Sequence, residues 1–239
     1  MYRVLVMGGC FCITWAATVQ RLGAVTVIEN LSATPQMYGF GGLESSVDGM
    51  GVGGQTFTPP GSDTVLDSFT YYGKLRTPRP LYFKGYVMEW DGSRAKGPVL
   101  FESEQLSLSE YHGTYTPMPV ATGGVSLTAG KQYVAFLWVT GPYDTWCNFG
   151  GSGVLGEAGT NPWFYNTYPN GEYVTQSRTM SEDFSKVTST PWGIPTAQSG
   201  DIAFTMTFSA PVPEPSAFVL LGMGAAGLLA LAWRRRASR

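Results

Sequence analysis

From Val25 onward the apolar positions recur every second residue in short runs, and Gly, Pro, Asn, Asp or Ser closes each run. A period of two sends alternate side chains to opposite faces of a strand. The clearest case is residues 201–209, where Ile202, Phe204, Met206 and Phe208 alternate with small or polar residues, predicting one core face and one wet face. Tyr133, Ala135, Leu137 and Val139 repeat the pattern, but Phe136 and Trp138 fill the opposite face as well, as a more central strand requires. Further strands are predicted over 25–28, 55–58, 64–72, 82–90, 99–106, 111–116 and 125–127. Helical periodicity is sustained nowhere in this region. About nine strands at intervals near ten residues predict an all-β fold, a two-sheet antiparallel sandwich.

Turn chemistry supports the register. Asp91-Gly92 follows the strand ending at Trp90, and a glycine that tolerates positive φ predicts a tight hairpin back to the strand near Val99. Thr128-Ala129-Gly130-Lys131 is a second turn, into the Tyr133 strand. Residues 32–54 and 141–200 are longer, rich in glycine and, in the second, in proline and aromatics. Loops of this kind usually carry function in a sandwich.

Both ends of the chain break the alternation. No charged residue lies between Glu214 and Arg234, and residues 217–233, 17 in number, are nearly all Leu, Ala, Val, Gly, Phe and Met. About 17–25 such residues form a helix that crosses a bilayer, so a single C-terminal transmembrane helix is predicted. Trp233 falls at its interface, and Arg234, Arg235 and Arg236 stay on the cytoplasmic side. A helix of the folded core would show a polar face; this one shows none. At the other end, Arg3 precedes an apolar run from Val4 to Ala17, the plan of a secretory signal peptide cut near Ala24. Met7-Gly8-Gly9-Cys10 also admits a lipoprotein box with Cys10 acylated, although few apolar residues precede it. The predicted division is therefore a signal peptide over 1–24, a β-sandwich over 25–210 and a C-terminal segment over 211–239.

Charge and cysteine content narrow the partners. Residues 25–214 hold 9 Lys and Arg against all 17 Asp and Glu, a net of about −8. Nucleic acid and anionic lipid surfaces are bound through excess positive charge, so neither is a predicted partner of this domain. Removing the signal peptide removes Cys10 and Cys12 and leaves Cys147 alone, so no internal disulfide is expected and the core must hold the fold.

Reactive constellations are scarce. His112 is the lone histidine and reads as decoration of a strand or turn; Gly150-Gly151-Ser152-Gly153-Val154 fails the nucleophile-elbow spacing at its last position. Gly151, Gly153 and Gly156 satisfy G-x-G-x-x-G, yet Gly159 and Pro162 follow too soon for the helix that would hold a pyrophosphate. No catalytic residue and no cofactor is predicted. Calcium is the one ion the loops could take, at Asp48, Asp91, Asp144 or Asn148, without a defined ligand set. The aromatic-rich segment offers another chemistry. Trp146, Trp163, Tyr165, Tyr168 and Trp192 stand among Gly, Asn, Thr and Pro, where exposed rings would stack on sugars. The alternative is that these rings plug the end of the sandwich and tether the loop to it.

Two resemblances rest on these residues. Pro213-Glu214-Pro215, in which two prolines hold the chain extended, followed by the apolar span and the cluster Arg234 to Arg236, resembles the PEP-CTERM sorting signal of exported Gram-negative proteins. The resemblance implies export by the Sec machinery, transient residence in the inner membrane, and recognition and cutting near the motif by a membrane-embedded exosortase. It further implies delivery to the cell envelope or extracellular matrix, where proteins of this kind are associated with exopolysaccharide. The second concerns Gly54-Gln55-Thr56-Phe57, residues 64–70, 86–91 and 125–133, which together resemble the extracellular choice-of-anchor β-sandwiches. That likeness implies a jelly-roll-like body. The leading expectation is a non-enzymatic exported protein; a secreted glycan-active hydrolase and a purely structural, self-associating matrix component are the alternatives.

Overall fold

In the computed structural model the period-two runs become strands. The structure describes residues 25–31, 42–44, 50–75, 78–109, 115–140, 146–149, 168–177, 183–193 and 201–211, with 224, 227–228, 231 and 233–236 of the C-terminal segment. Among them are twelve strands and one short helix: β1 (Val25–Asn30), β2 (Gly42–Glu44), β3 (Met50–Phe57), β4 (Val65–Leu75), β5 (Leu81–Trp90), β6 (Ala95–Glu102), β7 (Leu106–Leu108), β8 (Thr116–Ser126), β9 (Tyr133–Val139), β10 (Trp146–Phe149), β11 (Tyr173–Ser177), α1 (Phe184–Ser189) and β12 (Phe204–Ser209).

They form two antiparallel layers. One runs β1-β12-β4-β8; the other runs β11-β3-β9-β5, with β6 and β7 side by side along the far edge of β5. We call them the β12 sheet and the β9 sheet. The short strands β10 and β2 link the layers at one corner: β10 pairs with β4 through Cys147↔Leu75, and β2 meets β3 in parallel at Leu43↔Met50. The predicted hairpin at Asp91-Gly92 is present, with Gly92 at φ 95°, Trp90 opposite Ala95, and β6 starting four residues before Val99. Gly130, at φ 76°, closes the turn into β9 as expected.

The core lies between the sheets. Phe204, Met206 and Phe208 of β12 and Tyr133, Ala135, Leu137 and Val139 of β9 face each other across it with Phe57, Phe69 and Val120. Aromatic rings set the spacing: Phe57 stands 6.0 Å from Tyr133 and 5.8 Å from Phe208. Gly85 marks a point of close approach, where an added Cβ would meet Val120 of the opposite sheet at 2.7 Å. Each large apolar side chain so buried contributes about 1.5–3 kcal/mol.

A second cluster covers the outer face of the β9 sheet. Val52, Tyr86, Met88, Trp90, Val134 and Phe136 are buried there beneath Val187 of α1 and Trp192 of the strap that follows it. The β9 sheet is thus buried on both faces and the β12 sheet on one, as the apolar patterns of β9 and β12 predicted. The ends of the domain also coincide, since Val25 pairs with Ser209.

Candidate functional site

The C-terminal segment leaves the sandwich from an internal strand. β12 lies between β1 and β4 and ends at Ser209; Ala210 and the exposed Pro211 follow. Pro213, Glu214 and Pro215 lie outside the described residues, as does most of the predicted span. The described positions 224, 227–228, 231 and 233–236, including Arg234, Arg235 and Arg236, are helical and exposed. Leu228 is 72%, Leu231 56% and Trp233 79% exposed, and a Cβ added at Gly224 or Gly227 would meet nothing within 4 Å. Such residues do not belong to the core of the sandwich. Among the described residues no helix is long and apolar enough to cross a membrane.

The aromatic segment divides. Trp192 is buried at 6% exposure, edge-on to Trp90 at 5.5 Å and to Phe136 at 5.1 Å, and its Nε1 donates to the Val187 carbonyl at 2.8 Å. Tyr168 is also buried; its ring meets Phe204 edge-on at 5.6 Å and its hydroxyl donates to the Thr58 carbonyl at 3.3 Å. Neither ring has a face left for a sugar, which corrects the expectation of glycan contact at these two positions. The physical reason is area: rings this large are stabilised most by burial, and each closes one end of a loop. Trp163 and Tyr165 lie outside the described residues, and Trp146 is placed by its backbone alone, opposite Glu44 in the β10–β2 pair.

What holds the strap is specific. Asp183 caps α1, its Oδ1 accepting from the Ser185 N–H at 2.7 Å. Gln176 of β11 donates through Nε2 to the carbonyls of Lys186 and Thr190, both at 3.3 Å, and Arg94 Nη1 donates to the Ser189 carbonyl at 2.8 Å. At its margin, half-buried Trp138 and Phe184 approach to 5.6 Å, and Phe184 stands 4.8 Å from Tyr86. Beside them Lys84 bonds Glu102 at 2.6 Å, and this bond above all holds the Glu102 carboxyl below its usual range. Trp138 is the half-open ring that sequence reasoning assigned to packing alone. Its alternation within β9 carries no signal of how far the strap extends.

Tyr168 also anchors a buried polar network. The Asp201 carboxylate, 0% exposed, accepts from Gln55 Nε2 at 2.6 Å and from the Tyr168 N–H at 2.7 Å. Gln55 Oε1 in turn accepts from the Ile202 N–H at 3.3 Å, and the Gln55 N–H donates to the Tyr71 hydroxyl, which donates to the Ala135 carbonyl at 2.6 Å. One carboxylate therefore ties the start of β12, the middle of β3 and the turn at 168–172. Its oxygens are committed to structure.

The remaining candidates are placed as follows. Asp91 accepts at Oδ1 from Ser93 N–H and Oγ, both at 2.9 Å, and from Arg94 N–H at 3.0 Å, and so closes its own turn. Partial burial opposes ionisation there, but these bonds outweigh it and the carboxyl lies below its ordinary value. Asp48, Asp144 and His112 lie outside the described residues, and Asn148 is placed by its backbone in β10. Among the described residues no three His, Cys, Asp or Glu side chains converge to hold a metal. Cys147 is a buried thiol in no disulfide, and burial pushes its pKa up to about 12, so the thiolate form is disfavoured at neutral pH.

Comparison with known proteins finds a match at the tail. The family model described as the PEP-CTERM protein-sorting motif matches residues 211–236. No curated protein matches the chain. The matched residues begin two positions after β12 ends. The motif indicates a protein that exosortase sorts to the cell envelope.

Proposed function

We propose that this chain is a non-enzymatic exported protein of the cell envelope or extracellular matrix, whose sandwich is the cargo and whose tail is the removable address. One observation carries the reading: the sorting motif follows the last strand almost at once, and the helical residues within it stand clear of the core. In this reading residues 1–24 are the signal peptide that engages the Sec machinery. Residues 217–233 hold the chain in the inner membrane until exosortase cuts near Pro213-Glu214-Pro215. Arg234, Arg235 and Arg236 fix the orientation of the span by resisting translocation.

Contact with exopolysaccharide is the second element of the proposal. With Tyr168 and Trp192 committed to the core, it falls to Trp146, Trp163 and Tyr165. The net negative charge of the domain suits a neutral glycan or one bridged by divalent cations. The decisive experiment is mass spectrometry of the protein recovered from its host with and without exosortase. A mature form lacking everything beyond about Pro215 only when the enzyme is present supports the reading. An intact tail in both strains overturns the release step and makes the span a permanent anchor.

A further inference from the structure

A strand at the end of a sheet offers unpaired N–H and C=O groups to any other strand, and stable proteins obstruct such edges. Among the described residues the two sheets end at β1 and β8, and at β11 and β6, the last sharing its edge with β7, which at three residues is itself a short edge strand. Three of these edges are obstructed. β8 carries Pro117 and Pro119, two residues apart so that both missing donors lie on one side of the strand, and a register shift near Gly123 and Gly124 at φ 72° and 97°. In β6 the register jumps from Val87↔Phe101 to Glu89↔Lys96 across Gly97, at φ 77°, and Pro98. On β11 the strap occupies the edge, with Thr175 N–H donating to Gly193 at 3.0 Å and Gly193 N–H returning a bond at 2.8 Å.

β1 has none of these devices. Its sequence Val-Thr-Val-Ile-Glu-Asn contains no Pro, Gly or Lys, and it pairs with β12 through six consecutive residues without a shift. Among the described strands, none lies on its other side. Val25 and Val27 are 59% and 50% exposed on its outer face, next to Glu29.

We propose that β1 pairs antiparallel with β1 of a second copy, joining two sandwiches through one continuous sheet. Facing residues in an antiparallel pair point to the same side, so the register must keep Val25, Val27 and Glu29 together on the outer face. A two-fold axis at Val27 does so: Val27 meets Val27, each Val25 meets Glu29, and each Thr26 meets Ile28. No like charges oppose each other, and the valines of both copies gather in one outer patch. A two-fold edge pairing is closed, so it stops at two chains. The two tails leave this pair at opposite ends, so it is a state of copies released from, or not sharing, one bilayer.

The test uses the full chain in detergent, with its protein mass read by sedimentation. Wild type is expected as two chains, Val27→Lys as one, and Ala121→Lys, on the obstructed β8 edge, as two. A one-chain wild type at tens of micromolar, or a two-chain Val27→Lys, overturns the proposal. Should Val27→Lys fail to fold, cross-linking decides. In a Cys10→Ser/Cys12→Ser background, with Cys147 buried, oxidised Val27→Cys is expected to give a covalent dimer in most of the protein, and Val25→Cys at least ten-fold less. Equal yields from the two positions overturn the register, and no yield from either overturns the pairing.

Discussion

The two sheets of this sandwich share a core but not an environment. The β12 sheet turns its other face to water, with Thr205 and Thr207 half-buried and Pro117, Pro119 and Ala121 exposed, while the β9 sheet is roofed by α1 and Trp192. The difference teaches what each sequence pattern measures. Alternation in β12 reports one buried face, whereas the unbroken run Tyr133–Val139 reports two. A substitution on the outer face should therefore be costly in one sheet and nearly free in the other.

The largest contrast is expected between Phe136→Ala and Thr207→Ala. Phe136 is fully buried on the outer side of the β9 sheet, stacked on Tyr86 at 5.2 Å, and its loss should cost about 3–5 kcal/mol in denaturant unfolding. Thr207→Ala, outward in the β12 sheet, should stay within about 0.5 kcal/mol. Equal effects would mean that the strap does not cover the β9 sheet in solution. Next in size is Asp201→Ala, which removes the acceptor shared by Gln55 and Tyr168 and should cost about 1–3 kcal/mol. Because this network lies between the layers, both sheets should lose stability together; a cost confined to the 168–172 turn, seen by hydrogen exchange, would contradict it.

Gln176→Ala sharpens the contrast from the roof. It removes two hydrogen bonds to the end of α1, and a loss of about 1–2 kcal/mol there should raise amide exchange of α1 roughly ten-fold and leave β12 unchanged. Uniform acceleration would show that strap and sandwich open as one. The smallest expected effect is that of Glu172→Gln. Burial holds the Glu172 carboxyl above its ordinary value, so the folded chain keeps that proton longer than the unfolded chain. Stability is then lost as pH rises from the ordinary glutamate range through the raised folded value. Glu172→Gln should remove that slope and raise the midpoint slightly at pH 7, and an unchanged pH profile would refute the assignment.

Much of the sandwich was legible because its strands obey one face rule at a time. The strands at β4, β5, β9 and β12 and the turns at Gly92 and Gly130 were visible as period and punctuation. β8 was not, beyond residues 125–127: Pro117 and Pro119 read as breakers, and they are tolerated because the strand lies at an edge. The first half of β3 read as loop because Gly51, Gly53 and Gly54 suggested flexibility. At Gly54 the requirement is space, since a Cβ would fall 2.4 Å from the Ala135 carbonyl oxygen. The predicted strand over 99–106 splits into β6 and β7, and β11 and α1, of five and six residues, are too short to show a period. The sorting motif was legible in full because it consists of composition and order along the chain. Tyr168 and Trp192 show the opposite case, because whether a tryptophan or tyrosine meets a sugar or a core depends on what folds over it.

The coincidence of Val25 and Ser209 at one end of the domain also decides how it bears mechanical load. While the tail is attached, a drag force on the sandwich is transmitted along β12, which is bonded on both sides, to β1 and to β4. Pulling one strand lengthwise between two neighbours loads both ladders in shear, with all their hydrogen bonds sharing the force. Pulling the two ends of the domain apart would instead peel β1 from β12 one pair at a time, starting at Val25. The sandwich is thus strong as a tethered body and weak as a link in series.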